Sequence, residues 1–281
     1  IGNLTDLQHA IDRGRPLDDG RFTYEIGRPV QRVLHELIKW KSELQTGEVG
    51  TLHLQYTRQF NRRQEFDAHR PYGELPEGTE DPDIEFELTT HTGDLRWEHQ
   101  SWGNWRGAIG ATYMWQRNTT DRGALIPNYG SQLAGAYWIE RWKNYPSPFE
   151  FELGARYDYR TLDVGRRGTD TIDRQLAFSS FSGNLGVLYT FPRRLRLRFH
   201  LGTAWRPPHV NELFSEGVHH GSASYERGNP DLQAERAYTA SLTAELDAGD
   251  KLRATANFYY NRIDDFIFAE PLDRPVLTIR G

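Results

Sequence analysis

The chain has 281 residues, a formal net charge of −5 and no cysteine, and its mean hydropathy is −0.74. The negative charge argues against a nucleic-acid partner, which would need a basic stripe, and the absence of cysteine excludes disulfide bonds and thiolate metal sites. No apolar run reaches the roughly 18 residues that a membrane-spanning helix requires. Yet 8 Trp, 14 Tyr and 14 Phe are too many for a disordered chain, so the apolar residues must be sorted by position within each segment.

The apolar residues alternate with polar ones over segments of roughly 10 to 16 residues, which is typical of strands that have two different faces. In residues 149–160 the odd positions are apolar or aromatic, and all even positions but a glycine are charged. Residues 194–206 repeat the pattern with leucines and aromatics against arginines. A helix would mix the two sets on one face, and strands in soluble sandwiches average only about five or six residues. These segments have the length that a tilted strand needs to cross a bilayer.

A polar stretch that we expect to be rich in turns precedes ten predicted strands. In chain order the strands span 30–45, 49–66, 84–99, 105–119, 132–143, 149–163, 177–191, 194–207, 234–248 and 251–267. Tight turns alternate with long polar stretches between them, and the long stretches span 67–83, 120–131, 164–176 and 208–233. Bacterial outer-membrane barrels have short periplasmic turns and long extracellular loops. The sequence therefore predicts an all-β fold, an antiparallel up-and-down section of a transmembrane β-barrel with both ends on the extracellular side.

Aromatic residues mark one edge of the predicted barrel. Six of them lie at or beside tight turns, where an interfacial girdle would lie: Trp102, Trp105, Trp142, Tyr145, Phe149 and Phe191. The alternative is that they are ordinary hairpin aromatics. We expect the apolar faces of 149–160 and 194–206 to be convex and lipid-facing, and their charged faces to be concave. Glu150 and Glu152 then belong to a polar lumen wall rather than to a catalytic pair, and the sequence carries no recognisable enzyme motif.

Two short motifs flank the stretch 208–233. Trp205–Arg206–Pro207–Pro208 ends a predicted strand, and Gly228–Asn229–Pro230–Asp231–Leu232 leads to Glu235 at the start of the next. Prolines cannot donate to a strand ladder, so the first motif ends its strand, and Asn-Pro starts a turn. In this order across one long loop, the motifs resemble those of TonB-dependent outer-membrane receptors, although Pro207 stands where that family usually has alanine.

The resemblance implies a 22-stranded barrel with an N-terminal plug in the outer membrane of a Gram-negative bacterium. It implies a receptor, not an enzyme, that takes up a scarce metal, haem or metal chelate with energy delivered through TonB. Residues 1–281 are then expected to be part of one barrel domain, an open section without the plug and the TonB-contacting segment. Outer-membrane lipid, TonB and a small ligand are the expected partners, and no cofactor is expected. A passive porin-like channel or a small closed barrel is the alternative, and a soluble secreted β-protein is a third class.

Ligand contacts are expected in the loop between the two motifs. Imidazole and carboxylate groups ligate zinc, and histidine also ligates haem iron. Within the loop, one of His219 and His220 is expected to be the main contact to a metal or haem. The full candidate set is His209, Glu212, Glu216, His219, His220 and Tyr225. Since adjacent histidines rarely both reach one metal, the alternative is a solvated loop that binds nothing, or one that holds a larger chelate through Tyr225.

Overall fold

The fold is an antiparallel sheet, preceded by one helix, in a computed structural model that describes residues 4–15, 24, 30–66, 81–122, 125–192, 194–219, 224–249 and 252–272. The α-helices are α1 (Leu4–Arg13) and α2 (Val210–Phe214), and Gly47–Val49 form a single 3-10 turn. The strands are β1 (Val30–Gln45), β2 (Gly50–Phe66), β3 (Ile84–His99), β4 (Trp105–Arg122), β5 (Tyr129–Lys143), β6 (Phe149–Arg167), β7 (Asp170–Thr190), β8 (Leu195–Arg206), β9 (Glu216–His219), β10 (Ser224–Arg227), β11 (Glu235–Asp247) and β12 (Arg253–Asp264).

Ten of these strands form one sheet in the order β1-β2-β3-β4-β5-β6-β7-β8-β11-β12, and every neighbouring pair is antiparallel. The predicted up-and-down order is therefore confirmed. Among the described residues, strands β9 and β10 pair only with each other, and they lie between β8 and β11 in the chain. Within the described segments β1 and β12 each have a single neighbour, so the sheet is an open section rather than a closed barrel. No helix in these segments has the length and apolar character that crossing a membrane requires.

Strands β4 to β7 are longer than predicted at one end of the sheet. The stretch 164–176, predicted to be a long loop, is instead the top of a β6–β7 hairpin, in which Arg167 pairs with Asp170 across a tight turn at Gly168. Likewise β4 extends to Arg122 and β5 begins at Tyr129. The polar composition of such segments is like that of a loop, because a hairpin that projects into water can be polar on both faces.

Another prediction fails before the first strand. Residues 4–13 form helix α1 rather than turns. Short turns do connect the strands at the other end of the sheet, as predicted, and the stretch 67–80 lies outside the described residues.

Residues that pair directly across antiparallel strands point to the same face, and the register joins apolar residues into continuous rows. Phe151 pairs with Trp142 and with Val187, which in turn pairs with Phe199. On the opposite face, the carboxylate of Glu150 accepts from Arg141 and from Lys143, each at 2.6 Å. The predicted separation into an apolar and a polar face is confirmed. That the apolar face is the convex, lipid-facing one stays a prediction, supported by the exposure of Phe151 and its neighbours.

Aromatic residues cluster at the short-turn end of the apolar face. The rings of Trp142 and Phe151 lie 5.6 Å apart, those of Phe149 and Tyr189 4.6 Å, and those of Tyr189 and Phe191 4.4 Å. Contacts that join two neighbouring hairpins, β5–β6 and β7–β8, favour a girdle over isolated hairpin aromatics.

A buried polar pair interrupts this girdle. His99 is 3% exposed and Glu140 is 9% exposed, and His99 Nε2 lies 2.9 Å from the Glu140 carboxylate. The other ring nitrogen of His99 lies 2.5 Å from the Gln100 carbonyl oxygen, and the ring of Trp102 stacks on His99 at 4.2 Å. Gly107 leaves room for the pair, because a Cβ atom there would lie 2.5 Å from Glu140 Cδ.

We predict that the cost of a charge on the apolar face depends on depth. Leu201 lies in the middle of β8 and pairs with Leu185 and Ala240, whereas Leu197 lies near the tight turn and pairs with Tyr189. Leu201→Arg should lower the free energy of unfolding of the full-length protein in lipid vesicles by about 2–4 kcal/mol, and Leu197→Arg by about 0–1 kcal/mol. Urea titration measures both. The adjacent His200→Arg variant, on the polar face, is the control, and an equal cost for it and Leu201→Arg would contradict the face assignment.

Candidate functional site

The segment between β8 and β11 folds as a compact unit, here called the loop unit (residues 207–219 and 224–234). Its helix α2 contributes Val210, Leu213 and Phe214 to a buried cluster with Leu162 and Val164 of β6. Leu162 is on the same face of β6 as Glu150, since every second residue points the same way. The loop unit therefore packs over the polar face of the sheet, at the end where the long connections lie. It is a docked element rather than a solvated loop.

Arg206 fastens the loop unit to the sheet. Its Nη1 donates to both oxygens of Glu212, at 2.9 and 2.8 Å, while Nε and Nη2 donate to the two oxygens of Glu235, at 2.7 and 2.9 Å. Glu212 also accepts the backbone N–H of His209 at 2.7 Å, at the start of α2. Glu235 accepts the backbone N–H of Ile267 at 2.7 Å, which ties in the chain after β12. Forked guanidinium–carboxylate pairs of this kind are among the stronger hydrogen bonds in proteins.

The hydrogen bonds from Arg206 to Glu212 and Glu235, here called the Arg206 fork, also shift the pKa of Glu235. Donation from Arg206, together with the backbone N–H of Ile267, lowers the pKa of Glu235 to about 2 despite partial burial, and the two carboxylates raise the pKa of Arg206. A carboxyl whose pKa falls on folding stabilises the folded state above its unfolded pKa of about 4.5. That contribution is lost as the pH falls from there toward 2.

Gly228 of the second motif lies against the backbone of α2. A Cβ atom there would lie 2.5 Å from the Leu213 carbonyl carbon and 2.5 Å from the Phe214 nitrogen. The close approach lets the Gly228 N–H donate to the Ser215 carbonyl at 2.7 Å and the Asn229 N–H to the Glu212 carbonyl at 2.8 Å. The second motif is thus both a turn, as the sequence predicted, and a packing surface for α2.

Two residues outside the loop unit also make hydrogen bonds that stabilise this end of the sheet, and sequence reasoning missed their roles. Arg167 at the top of β6 donates to the Phe214 carbonyl at 3.1 Å and to Glu216 at 2.7 Å. The indole N–H of Trp205 donates to the buried carboxylate of Asp158 at 3.3 Å. The sequence did not indicate the role of Arg167, because residues 164–176 have the polar composition of a loop.

The predicted ligand residues fall into two groups. Arg206 and Arg167 donate to Glu212 and Glu216, so these two carboxylates already accept hydrogen bonds within the protein. His219 Nδ1 lies 2.6 Å from Glu226 across the β9–β10 hairpin. The remaining candidates are His209, which is exposed at the start of α2, Tyr225, which is half-buried in β10, and His220, which lies outside the described residues.

No group of three or more His, Cys, Asp or Glu side chains in the described part of the chain is placed to hold a metal ion. A cleft of about 760 Å³ lies lower on the polar face, lined in part by Arg96, Tyr137, Arg156 and His200. Its arginines are paired with neighbouring carboxylates, Arg96 with Glu98 at 3.0 Å and Arg156 with Asp158 at 2.7 Å. The cleft is therefore polar without a strong excess of positive charge.

Sequence comparison connects this arrangement to a family. Residues 5–279 match the model described as TonB dependent receptor-like, beta-barrel. The chain belongs to the TonB-dependent receptor β-barrel family. No curated protein sequence matches the chain.

Solved structures of this family share the fold. The copper transporter OprC has a TM-score of 0.66 and 18% identity, over 83% of this chain and 39% of that one. A double mutant of the Serratia marcescens hemophore receptor HasR, in complex with its hemophore HasA and heme, has a TM-score of 0.65 and 16% identity, over 84% and 40%. The FrpB iron transporter from Neisseria meningitidis has a TM-score of 0.61 and 14% identity, over 84% and 37%. At these identities the likeness shows the fold alone, and the chain spans about two-fifths of the length of these proteins.

We predict that the Arg206 fork contributes a pH-dependent part of the stability. Glu235→Gln should lower the free energy of unfolding of the full-length protein in detergent by about 1–3 kcal/mol near neutral pH, as for other hydrogen bonds to a charged group. The difference from wild type should shrink as the pH falls below about 4.5 toward 2, because Glu235 of the unfolded wild-type chain then takes up a proton while that of the folded protein stays ionised. Urea titrations at a series of pH values measure this.

The matched control is Glu36→Gln, which removes a carboxylate of β1 that lies 3.7 Å from Arg58 in an exposed pair. Such pairs contribute about 0–1 kcal/mol. A difference for Glu235→Gln that is independent of pH would contradict the assigned role of the fork.

Proposed function

We propose that this chain is part of the barrel of an outer-membrane receptor that imports a scarce metal, haem or metal chelate with energy delivered through TonB. The observation that carries the proposal is the loop unit, which is fastened over the polar face of the sheet between the two family motifs. A passive channel needs an open lumen, whereas a receptor that concentrates a rare ligand needs a shaped mouth. The names of the structurally similar proteins, which refer to copper, a hemophore with heme, and iron, support this class of ligand.

We propose that the β9–β10 hairpin of the loop unit provides the ligand contact. Glu212 and Glu216 fit this role less well than the imidazoles, because Arg206 and Arg167 hold them. The carboxylate of Glu226 beside His219 Nδ1 is the kind of support that orients metal-binding imidazoles. His219 and Tyr225 then present an imidazole and a phenol at this end of the sheet, with His209 at the start of α2. His220, which lies outside the described residues, is the alternative imidazole.

The decisive experiment separates energised uptake from passive diffusion. Cells that express the full-length protein should accumulate radiolabelled iron, copper or haem at limiting concentration, and a protonophore or loss of TonB should abolish this accumulation. Energy is needed because the ligand is concentrated against its gradient. Uptake that survives both treatments at the same rate would identify a porin-like channel and contradict the proposal.

A second experiment tests the imidazoles. His219→Ala combined with His220→Ala should weaken uptake at limiting ligand at least several-fold and leave the amount of assembled barrel unchanged, because the buried contacts of the loop unit come from α2 rather than from the hairpin. Gel mobility before and after heating measures assembly. His35→Ala, on the polar face of β1, is the control, and His209→Ala tests the third imidazole separately.

Normal growth of the double variant on limiting haem, iron, copper and zinc would contradict a metal-contacting role. In that case, weaker uptake by a Tyr225→Phe variant would indicate a larger organic chelate held by the phenol.

A further inference from the structure

A polar groove of about 400 Å³ lies at the loop end of the sheet, across β4, β5, β6 and β7. We call it the rim groove and define it by Arg117, Gly130, Asp163 and Gln175. The register places these four in one row, because Arg117 pairs with Gly130, Gly130 with Asp163, and Asp163 with Gln175. Paired residues share a face, so the whole row points to one side of the sheet.

That side is the apolar one. Four residues before Asp163 on β6 is Tyr159, and eight residues further back is Phe151, so all three side chains lie on one face. The twelve residues from Phe151 to Asp163, at about 3.4 Å each and tilted by about 40°, span roughly 30 Å of height. An outer-membrane barrel has an apolar band about 25 Å tall between its aromatic girdles. The rim groove therefore lies just beyond the apolar band, at the level of lipid headgroups.

The polar groups of the rim groove are not used within the protein. Arg117, Asp163 and Gln175 are exposed, and among the described residues none of them has a hydrogen-bond or ion-pair partner. Arg117 and Asp163 are two strands apart, which corresponds to about 10 Å. Gly130 lies between them, and a Cβ atom there would meet nothing within 4 Å. The row thus forms an open gap with a cation on one side and a carboxylate and an amide on the other.

We propose that the rim groove binds the headgroup of a phosphorylated glycolipid of the outer leaflet. The guanidinium of Arg117 matches a phosphate, to which it can donate two parallel hydrogen bonds. Asp163 and Gln175 match the hydroxyl and amide groups of the sugar, and Trp115, which lines the same groove, lies on the membrane side of the row. The inference rests on the proposed outer-membrane location, but it concerns the lipid-facing surface and not the transported ligand.

The test measures lipid retention by the full-length receptor. Purified receptor is titrated with lipid A bisphosphate in detergent, and bound lipid is counted by native mass spectrometry. Arg117→Gln should weaken binding about tenfold, as expected for one lost charge-assisted contact, and Gly130→Phe should weaken it by filling the gap. Arg198→Ala is the matched control, since it removes an exposed arginine from the polar face of β8, and it should bind lipid like the wild type.

Further arms identify the source of the headgroup. Dephosphorylated lipid A and phosphatidylglycerol should bind more weakly than lipid A bisphosphate, and glucosamine phosphate without acyl chains should compete only at far higher concentration. Equal binding of phosphatidylglycerol would overturn the glycolipid assignment, and equally strong competition by glucosamine phosphate would assign the groove to a free sugar phosphate.

Wild-type lipid retention by both Arg117→Gln and Gly130→Phe, or an equal loss in Arg198→Ala, would overturn the site itself. Energised uptake is measured on the same variants and should stay normal, so failure of the lipid site is distinguishable from failure of the proposed transport function. Arg117→Gln keeps the test decisive if Gly130→Phe does not assemble.

Discussion

The need to pair every backbone N–H and C=O group determines this structure. A bilayer offers no water to an unpaired peptide group, so a chain that crosses it with strands must hydrogen-bond each strand along its whole length. The register from β1 to β7, and from β8 through β11 to β12, does this over most of each strand, whereas β7 pairs with β8 only over Asn184–Thr190. Because side chains then alternate between two faces, the sheet needs no core of its own. Its only cluster of fully buried apolar residues in the described segments lies where α2 covers β6.

The two faces of the sheet carry different features. The polar face carries ladders of ion pairs and, at the loop end, receives the loop unit with its Arg206 fork. The apolar face carries aromatic rows and, just beyond them, the rim groove. Both special sites lie at the same end of the strands because only there do segments extend beyond the apolar band. The fork also explains why the two family motifs occur together: Arg206 from the first and Glu235 after the second are one contact, and Gly228 lets the backbone between them approach α2.

The order of the strands could be predicted from the sequence because a period of two is visible without knowing any neighbour. The top of the β6–β7 hairpin could not be predicted. Beyond the apolar band, residues such as Arg166 and Asp170 face water on both sides of the hairpin, so apolar and polar residues no longer alternate. The ligand candidates were chosen by residue type, and type alone does not show that Arg206 and Arg167 hold Glu212 and Glu216. The rim groove depends on register across four strands, which a single sequence does not contain.

Beneath Trp102, His99 and Glu140 place an ionisable pair on the side of the sheet that is otherwise apolar. Each ring nitrogen of His99 faces an oxygen, that of the Glu140 carboxylate on one side and that of the Gln100 carbonyl on the other, so the two contacts hold the ring in one orientation. Trp102 stacks on that ring from the outer side. The turn after β3 is in this way anchored to β5, two strands away, by a side-chain contact that the backbone ladder does not supply.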